Sequence, residues 1–243
     1  MTAEMAAQET AGMKSALREG LARIGLDLPE QTLDQLTAFG EAVLEKNRVM
    51  NLTAITDPAQ AAELHLLDSL TLLKVEPLAG KSLLDVGTGA GFPGVPLKLA
   101  EPSLHLTLLD SLQKRMHWLE TEALPALNVE ASFLTGRAED FAAANREGFD
   151  IVSSRAVARL NLLSELCLPY VRIGGCFLAM KGAQAGEELR EAERAIRTLG
   201  GSFERTETFE IGGAVHSVLV IRKTSATLPQ YPRPWSRMKQ KPL

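Results

Sequence analysis

Short apolar runs alternate with longer helical segments from Ser82 onward. Five runs have the length and composition of strands: Ser82–Val86, Leu104–Leu109, Val129–Leu134, Phe149–Ser153 and Gly175–Met180. Apolar residues recur at helical spacing in the four segments between them: Gly91–Ala100, Leu112–Leu124, Glu139–Ala144 and Leu160–Val171. Because strands that alternate with helices form parallel sheets covered on both faces, the pattern predicts a doubly wound α/β fold.

The chain after the fifth run has a different pattern. A helical segment, Gly186–Leu199, precedes two apolar runs, Phe203–Glu210 and Val215–Ile221, which flank Gly212-Gly213. A glycine pair between two such runs predicts an antiparallel hairpin. The hairpin brings the expected total to seven strands in a mostly parallel, Rossmann-like sheet.

The first 80 residues are predicted to be helical. Pro29 is suited to the first turn of a helix that runs through Asn47, and Asp57-Pro58 combines a capping side chain with a proline that costs no hydrogen bond there. We therefore expect one domain over residues 1–243, with a helical flank (1–80), a Rossmann-like core (81–223) and a C-terminal tail (224–243).

Composition places the chain among globular proteins, with 45% apolar and 23% charged residues. No apolar run reaches the roughly 18–20 residues of a membrane helix, and the first 18 residues lack the apolar core of a signal peptide. Cys167 and Cys176 have no metal-like spacing and are expected to be buried thiols. We expect a cytoplasmic monomer without a metal.

Charge is distributed unevenly along the chain. The net charge is −4, yet no acidic residue follows Glu210, whereas six basic residues do: Arg222, Lys223, Arg233, Arg237, Lys239 and Lys241. A polyanion would therefore be attracted to the C-terminal end.

A glycine-rich turn follows the first predicted strand and includes Gly87, Gly89 and Gly91. Open α/β sheets bind ligands at this place, and glycine lets the backbone approach them closely. The spacing is G-x-G-x-G, and Phe92 occupies the sixth position, where a dinucleotide-binding motif has Gly or Ala. This argues against a pyrophosphate-binding dehydrogenase.

Acidic residues follow the next two strands. Asp110 ends the second strand, where a carboxylate can accept hydrogen bonds from both ribose hydroxyls of an adenosine-type ligand. Ala138 and Glu139 follow the third strand, where the adenine is expected, although Glu139 would also suit the first turn of a helix. Together with the glycine turn, these positions predict S-adenosylmethionine as the cofactor.

The loop after the fourth strand is expected to face the reacting methyl group. It reads Ser153-Ser154-Arg155-Ala156-Val157, without the Asn/Asp-Pro-Pro-aromatic sequence of enzymes that methylate exocyclic amino groups. Neither cysteine is placed as a nucleophile. A ring nitrogen such as guanine N7 loses no proton on methylation, so its enzyme needs placement more than a general base.

Several segments resemble one family closely, and the resemblance extends from about Leu33 to Leu243. They are Asn51–Thr53, His65–Ser69, Leu84–Gly94, Asp110–Leu112, Lys114-Arg115, Ser154–Ala156 and Lys181-Gly182. Each is similar to the ribosomal RNA small subunit methyltransferase G family, also called glucose-inhibited division protein B. Two features depart from the family pattern: Met180 replaces a usual Leu, and the tail lacks a common Gly.

The resemblance implies methylation of N7 of one guanine in the 530 loop of bacterial 16S rRNA. It implies cofactor contacts at Gly87, Phe92, Ala138, Glu139 and Arg155, with Asp110 at the ribose and Arg155 as the catalytic residue. The substrate would be 16S rRNA or the small ribosomal subunit.

RNA contacts are expected from basic residues at two places. Arg115, Arg159 and Lys181 follow predicted strands, and Arg233, Arg237 and Lys239 lie in the tail with Tyr231 and Trp235, whose rings could stack on bases. A solvated basic terminus remains an alternative for the tail, and a surface charge for Arg159. A small-molecule methyltransferase and an inactive RNA-binding protein of the same fold are the competing functions.

His65 and Asp68 lie three residues apart in the second predicted helix. They could meet Asn51 near the site entrance, or they could form a hydrogen-bonded pair that anchors the helical flank to the core.

Overall fold

The computed structural model describes the backbone of residues 3–243, and the side chains of residue 10 and of residues 12–243. Seven strands form one sheet in the order β3-β2-β1-β4-β5-β7-β6. Their bounds are Ser82–Val86 (β1), His105–Asp110 (β2), Ser132–Thr135 (β3), Phe149–Arg155 (β4), Val171–Lys181 (β5), Gly201–Ile211 (β6) and Ala214–Lys223 (β7). Strands β1 to β5 are parallel, and β7 lies antiparallel to both β5 and β6.

The N-terminal flank contains helices α1 to α5. These are Ala3–Ile24 (α1), Glu30–Met50 (α2), Pro58–Ala61 (α3), Asp68–Leu70 (α4) and Leu72–Val75 (α5), with a π-helical turn over Ala62–Leu67. The Asp57 side chain caps α3 by accepting the Gln60 N–H at 2.8 Å, and Pro58 follows it, as the sequence predicts. Pro29 lies one residue before α2, in the capping position.

Seven further helices complete the fold. They are Gly94–Ala100 (α6), Gln113–Trp118 (α7), Leu124–Ala126 (α8), Ala138–Phe141 (α9), Leu160–Cys167 (α10), Ala185–Thr198 (α11) and Trp235–Gln240 (α12). A π-helical turn, Leu119–Ala123, joins α7 to α8, and a 3₁₀ turn, Leu168–Tyr170, follows α10.

Apolar side chains alternate between the two faces of the sheet, which creates two cores. Leu83 belongs to the core shared with the N-terminal flank, whereas its neighbour Leu84 belongs to the core under α10 and α11. The same alternation separates Leu178 from Phe177 in β5. Side chains with a period of two therefore fix both layers at once.

The predicted hairpin is confirmed. Gly212 and Gly213 form its turn with φ of 57° and 76°. Both values lie in the left-handed region that favours glycine.

The predicted bounds differ from the structure mainly at helix and strand ends. The third strand begins at Ser132 rather than Val129, and β5 already begins at Val171, which the pattern assigns to a helix. Val129 and Val171 both pack against the cores. Because an apolar residue at such a place continues the hydrophobic pattern of the adjacent element, the pattern alone does not show where the element begins or ends.

The C-terminal segment packs against the core under α10 and α11. Met238 is fully buried there, and Tyr231, Trp235 and Leu243 are partly buried against the same core. The buried ammonium of Lys223 donates to the carbonyl of Leu168 at 2.7 Å. Residues 224–243 thus follow the surface of the core rather than leaving it.

Candidate active site

A cleft of about 340 Å³ opens at the carboxyl ends of β1 and β2. Gly87 and Gly89 line it from the turn after β1, and Asp110 and Ser111 line it from the end of β2. The loops after β3 and β4 contribute residues 136–139 and 156–157, and Trp235 contributes from α12. Because the strand order reverses at β1, the cleft lies where open α/β sheets bind ligands.

The turn after β1 depends on glycine. Gly87 and Gly89 have φ of 73° and 59°, values that residues other than glycine rarely adopt. A Cβ on Gly87 would also lie 2.2 Å from Cγ2 of Val157, which packs directly against this turn. The backbone N–H groups of Gly87 and Thr88 donate to the carbonyl of Leu109, which ties the turn to β2.

Asp110 is fixed by the turn that it faces. Its Oδ2 accepts the Gly89 N–H and its Oδ1 accepts the Leu112 N–H, both at 2.8 Å. Each carboxylate oxygen has room for a second hydrogen bond. The cleft therefore presents a pair of oriented acceptors, as a ribose diol requires.

Asp85 braces the same turn from inside β1. Its carboxylate accepts the Gly94 N–H and the Ser153 hydroxyl, each at 3.0 Å. Burial raises the pKa of Asp85 to about 6, although these hydrogen bonds oppose the shift. The side chain joins β1, β4 and the first turn of α6, and it does not line the cleft.

The opposite wall of the cleft is formed by the start of α9. Ala138 is buried, and its carbonyl accepts a hydrogen bond from the Tyr170 hydroxyl, which fixes its position. Glu139 accepts a hydrogen bond from Nε of Arg137 at 3.3 Å. Both predicted adenine contacts are thus adjacent in one wall, next to the apolar side chain of Leu166.

Phe92 lies outside the cleft lining. Its ring stacks on His65 at a centroid distance of 4.9 Å and an interplanar angle of 20°, and it also contacts Phe39. The guanidinium of Arg155 lies 5.4 Å from the Phe92 centroid. Phe92 therefore links the glycine turn to the helical flank, and its predicted cofactor contact remains a prediction.

Arg155 extends from the end of β4 toward the helical flank. Its guanidinium donates to the Asp68 carboxylate at 2.7 Å and to the Leu64 carbonyl at 3.0 Å. It does not line the cleft, whereas the next two residues, Ala156 and Val157, do. Ala156 has φ of 57°, an uncommon conformation for a residue with a side chain. Arg155 thus anchors a strained loop beside the cleft.

Asp68 joins the flank to two strands, because it also accepts a hydrogen bond from His216 of β7 at 2.8 Å. Burial favours a higher pKa of Asp68, but the hydrogen bond from His216 and the charge of Arg155 outweigh it and lower the pKa. The hydrogen bond to Asp68 in turn raises the pKa of His216. Asp68 does anchor the flank to the core, but it does so through Arg155 and His216 rather than through a pair with His65 or a contact with Asn51.

His65 is neutral in this setting. Burial, together with the positive charge of Arg155, lowers its pKa to about 4. Its Nε2 lies 2.7 Å from the Thr53 hydroxyl. The side chain fixes the loop after α2, whose first residue, Asn51, has φ of 51°.

Three of the predicted RNA-contacting cations have acidic partners within the protein. Arg159 pairs with Glu191 at 2.8 Å, and Lys181, nearly buried, pairs with Glu188 at 2.8 Å. Arg233 pairs with the buried Glu165 at 2.6 Å. In this conformation all three cations are paired with acids of the protein, and their RNA contact remains a prediction.

The other three cations are more accessible. Arg115 lines the cleft and donates to the Asn51 carbonyl at 3.1 Å, while Arg237 and Lys239 are exposed on α12. Their RNA contact also remains a prediction.

The sequence pattern indicates no role for His216, and for Trp235 it predicts stacking on RNA bases but no place in the cofactor cleft. His216 has no motif around it, and its partner Asp68 is 148 positions away in the chain. The isolated aromatic character of Trp235 was visible, but its place in the cleft wall depends on the packing of the tail.

Neither cysteine can act as a nucleophile here. Both are buried free thiols, as expected, and burial raises the pKa of Cys176 to about 12 and that of Cys167 well above its usual value. Within residues 3–243, no group of three or more His, Cys, Asp or Glu side chains is arranged to hold a metal ion. Across the same part of the chain, no helix is long and apolar enough to span a membrane.

Solved structures of similar architecture include methyltransferases. An O-methyltransferase from Bacillus cereus, solved with S-adenosylhomocysteine, aligns over 76% of this chain and 91% of its own, with 18% identity and a TM-score of 0.57. TrmN from Thermus thermophilus aligns over 65% of this chain and 48% of its own, with 21% identity and a TM-score of 0.52. The fold is therefore the class I methyltransferase fold.

Sequence comparison gives the family. The sequence model for rRNA small subunit methyltransferase G matches residues 32–216. Proteins of that name from Alkaliphilus oremlandii and Lachnoclostridium phytofermentans are 41% and 43% identical to this chain, covering 95% and 94% of it and 99% and 97% of their own lengths. The chain belongs to the rRNA small subunit methyltransferase G family, and it is a methyltransferase.

Proposed function

We propose that this protein transfers the methyl group of S-adenosylmethionine to N7 of one guanine in the 530 loop of bacterial 16S rRNA. The observation that carries the proposal is the glycine-lined cleft beside Asp110 in a chain of this family. The protein would act as a single-domain cytoplasmic monomer on 16S rRNA or on the small subunit.

The cleft suits the cofactor in size and chemistry. A volume of about 340 Å³ falls within the range of about 300–1,000 Å³ typical of small-molecule sites. Gly87 and Gly89 line the cleft with backbone alone. When bound, the cofactor supplies an electrophilic methyl group attached to a sulfonium.

Five residues would hold the cofactor. Gly87 and Gly89 would receive its amino-acid portion against the backbone, and Asp110 would accept both ribose hydroxyls. Ala138 and Glu139, fixed at the start of α9, would border the adenine. Both oxygens of Asp110 are already oriented by backbone N–H groups, so binding requires little further ordering.

A ring nitrogen is the acceptor that the side chains favour. The thiols are inert, and Asp85 is fully buried below the turn rather than open to a substrate. Guanine N7 carries a free lone pair, so its methylation requires orientation and closeness, which can lower a barrier by about 7–11 kcal/mol. A protein that provides placement without a general base is suited to that reaction.

Arg155 would act by positioning. Its ion pair with Asp68 fixes the loop Ala156-Val157, which forms the cleft wall next to Gly87. The guanidinium itself faces the helical flank. We therefore propose that Arg155 orients the loop between cofactor and guanine. Direct contact of Arg155 or Phe92 with the cofactor would require their side chains to rearrange.

RNA would approach the open side of the cleft. Arg115 lines this side, Arg237 and Lys239 project from α12, and Val157 and Leu112 expose apolar surface nearby. A mixture of positive charge and apolar surface suits a single-stranded loop whose bases are turned outward.

The test is methyl transfer from a labelled donor to 30S subunits, and separately to naked 16S rRNA, from a bacterial strain lacking a family member. Mass spectrometry of nuclease digests should find 7-methylguanosine in one fragment of the 530 loop. Label on another atom or another RNA region would overturn the assignment. Transfer to small molecules with none to either RNA would favour the competing small-molecule enzyme.

A further inference from the structure

Trp235 is the one residue of the C-terminal segment in the cleft wall. It is half-buried, and it opens helix α12 beside the loop after β3. The guanidinium of Arg137 lies 5.4 Å from the centroid of its indole ring, within the range of a cation–π contact. The indole thus lies next to Arg137 and Glu139, at the end of the cleft proposed for the adenine.

From this arrangement we infer that Trp235 forms the outer wall of the adenine subsite and that the C-terminal segment is part of the cofactor-binding site. The inference rests on the proposed function, since it requires an adenosine-type ligand in the cleft. An adenine is a flat π-system, and stacking of a base on an aromatic side chain contributes about 1–3 kcal/mol. Ala138 and Leu166 offer only small or aliphatic contacts in the same wall.

The tail is anchored firmly enough to serve as a wall. Arg233, two residues before Trp235, directs its backbone N–H, Nε and Nη2 at the carboxylate of Glu165, at 2.6–2.8 Å. Glu165 is buried in α10, the helix that also supplies Leu166 to the cleft. The position of the indole is therefore coupled to the helix beside the cleft.

Two further anchors lie on either side of Trp235. Met238, one turn later in α12, is fully buried in the core. Arg146 donates to the carbonyls of Thr227 at 3.2 Å and Tyr231 at 2.5 Å, which fixes the segment before the helix. These anchors hold the indole in the cleft wall, at the end proposed for the adenine.

The two tryptophans of the chain make the inference directly measurable. Trp118 lies buried in the core under the N-terminal flank, in the other layer of the molecule. In a Trp118→Phe variant, Trp235 is the only remaining tryptophan. Titration with S-adenosylhomocysteine should quench or shift its emission, and the Trp235→Phe variant, which retains Trp118, should show no such change.

Calorimetry with S-adenosylhomocysteine measures the contribution to binding. Trp235→Ala should raise the Kd roughly 5- to 100-fold relative to the natural protein, whereas Trp235→Phe, which keeps a flat ring, should recover most of the affinity. Thermal unfolding without ligand checks that each variant is folded, and the fluorescence titration does not depend on the Ala variant.

The outcomes separate this inference from the proposed function. If the natural protein binds S-adenosylhomocysteine and Trp235→Ala binds it equally well, the inference is wrong and the proposed function stands. If the natural protein does not bind this product, both are wrong. Fluorescence emission of Trp235 that stays unchanged at saturating S-adenosylhomocysteine would also overturn the inference.

Discussion

The carboxylate of Asp110 accepts the backbone N–H of Gly89 at 2.8 Å, so the acid at the end of β2 and the glycine turn after β1 orient each other. This hydrogen bond couples the two groups, in addition to the Leu112 N–H on Asp110 and the Leu109 carbonyl on the turn. This relationship makes the cleft a preformed site, and it explains why a glycine turn and an acid 21 positions apart act as one unit.

The first prediction concerns Asp110. Asp110→Ala removes both acceptors and the support of the Gly89 N–H, so the Kd for S-adenosylhomocysteine should rise at least about 100-fold, given about 1.5–3 kcal/mol per hydrogen bond to a charged group. Calorimetry measures the change. Asp140→Ala, at an exposed acid of α9 outside the cleft, is the matched control and should bind normally. Equal affinity in the two variants would refute the role of Asp110.

The second prediction concerns Arg155. Arg155→Lys keeps the positive charge but cannot reach Asp68 and the Leu64 carbonyl with the same geometry. We expect kcat for RNA methylation to fall about 10-fold or more, with the Kd for S-adenosylhomocysteine changed less than about threefold, since misplacement by a small distance can cost about 10²-fold.

Arg159→Lys is the control, because it makes the same replacement of a guanidinium by an ammonium at an exposed ion pair four positions later. It should leave kcat nearly unchanged. A rise in the cofactor Kd of Arg155→Lys with unchanged kcat would instead show that Arg155 touches the cofactor.

The third prediction is a pH dependence due to Asp85. Its folded-state pKa of about 6 lies above the usual 3.8, so the stabilisation from its protonated form is complete below pH 4 and is lost as the pH rises through 6. The decrease is about 3 kcal/mol. Asp85→Asn cannot ionise and should escape this decrease.

Urea unfolding of both proteins between pH 4 and pH 7.5 measures the effect. The free energy of unfolding of the natural protein should fall relative to that of Asp85→Asn by roughly 2.5 kcal/mol over this range. A difference that stays constant with pH would contradict the raised pKa.

The fourth prediction concerns the anchor of the tail. Arg233→Ala leaves the buried carboxylate of Glu165 without its partner, which should lower the free energy of unfolding by about 3 kcal/mol. Arg237→Ala, four positions away and exposed, should change it by less than about 0.5 kcal/mol. Urea unfolding of the two variants compares them, and similar small effects would show that the tail is not anchored through Arg233.

The fifth prediction concerns RNA binding. Replacing Arg237 and Lys239 by Gln should weaken RNA affinity and reduce the slope of log K against log salt by about 0.7 for each phosphate that the variant no longer neutralises. Filter binding at several salt concentrations measures the slope, while the Kd for S-adenosylhomocysteine should not change. An unaltered slope would exclude these two residues from RNA binding.

Much of this fold is predictable because its pattern is local. Strand β1 matches its prediction at both ends, and Gly212-Gly213 alone indicates the hairpin. The glycine turn and Asp110 are predictable for the same reason, since the carboxyl ends of neighbouring parallel strands meet at one edge of the sheet.

The contacts that escaped prediction join residues far apart in the sequence. In the sequence, Arg233 lies among basic residues that suggest a solvated tail. Its partner Glu165 lies 68 positions earlier, and only the folded structure brings the two together. The same holds for Arg155, whose guanidinium finds Asp68 across 87 positions. A charge pattern shows which side chains are available for ion pairs, and tertiary packing decides which of them are used.

A crystal structure of the protein with S-adenosylhomocysteine tests the central claim most directly. Our account predicts the ribose hydroxyls within about 3 Å of the Asp110 carboxylate, with the homocysteine portion against Gly87 and Gly89. Density for the product at any other place, with this cleft empty, would contradict it.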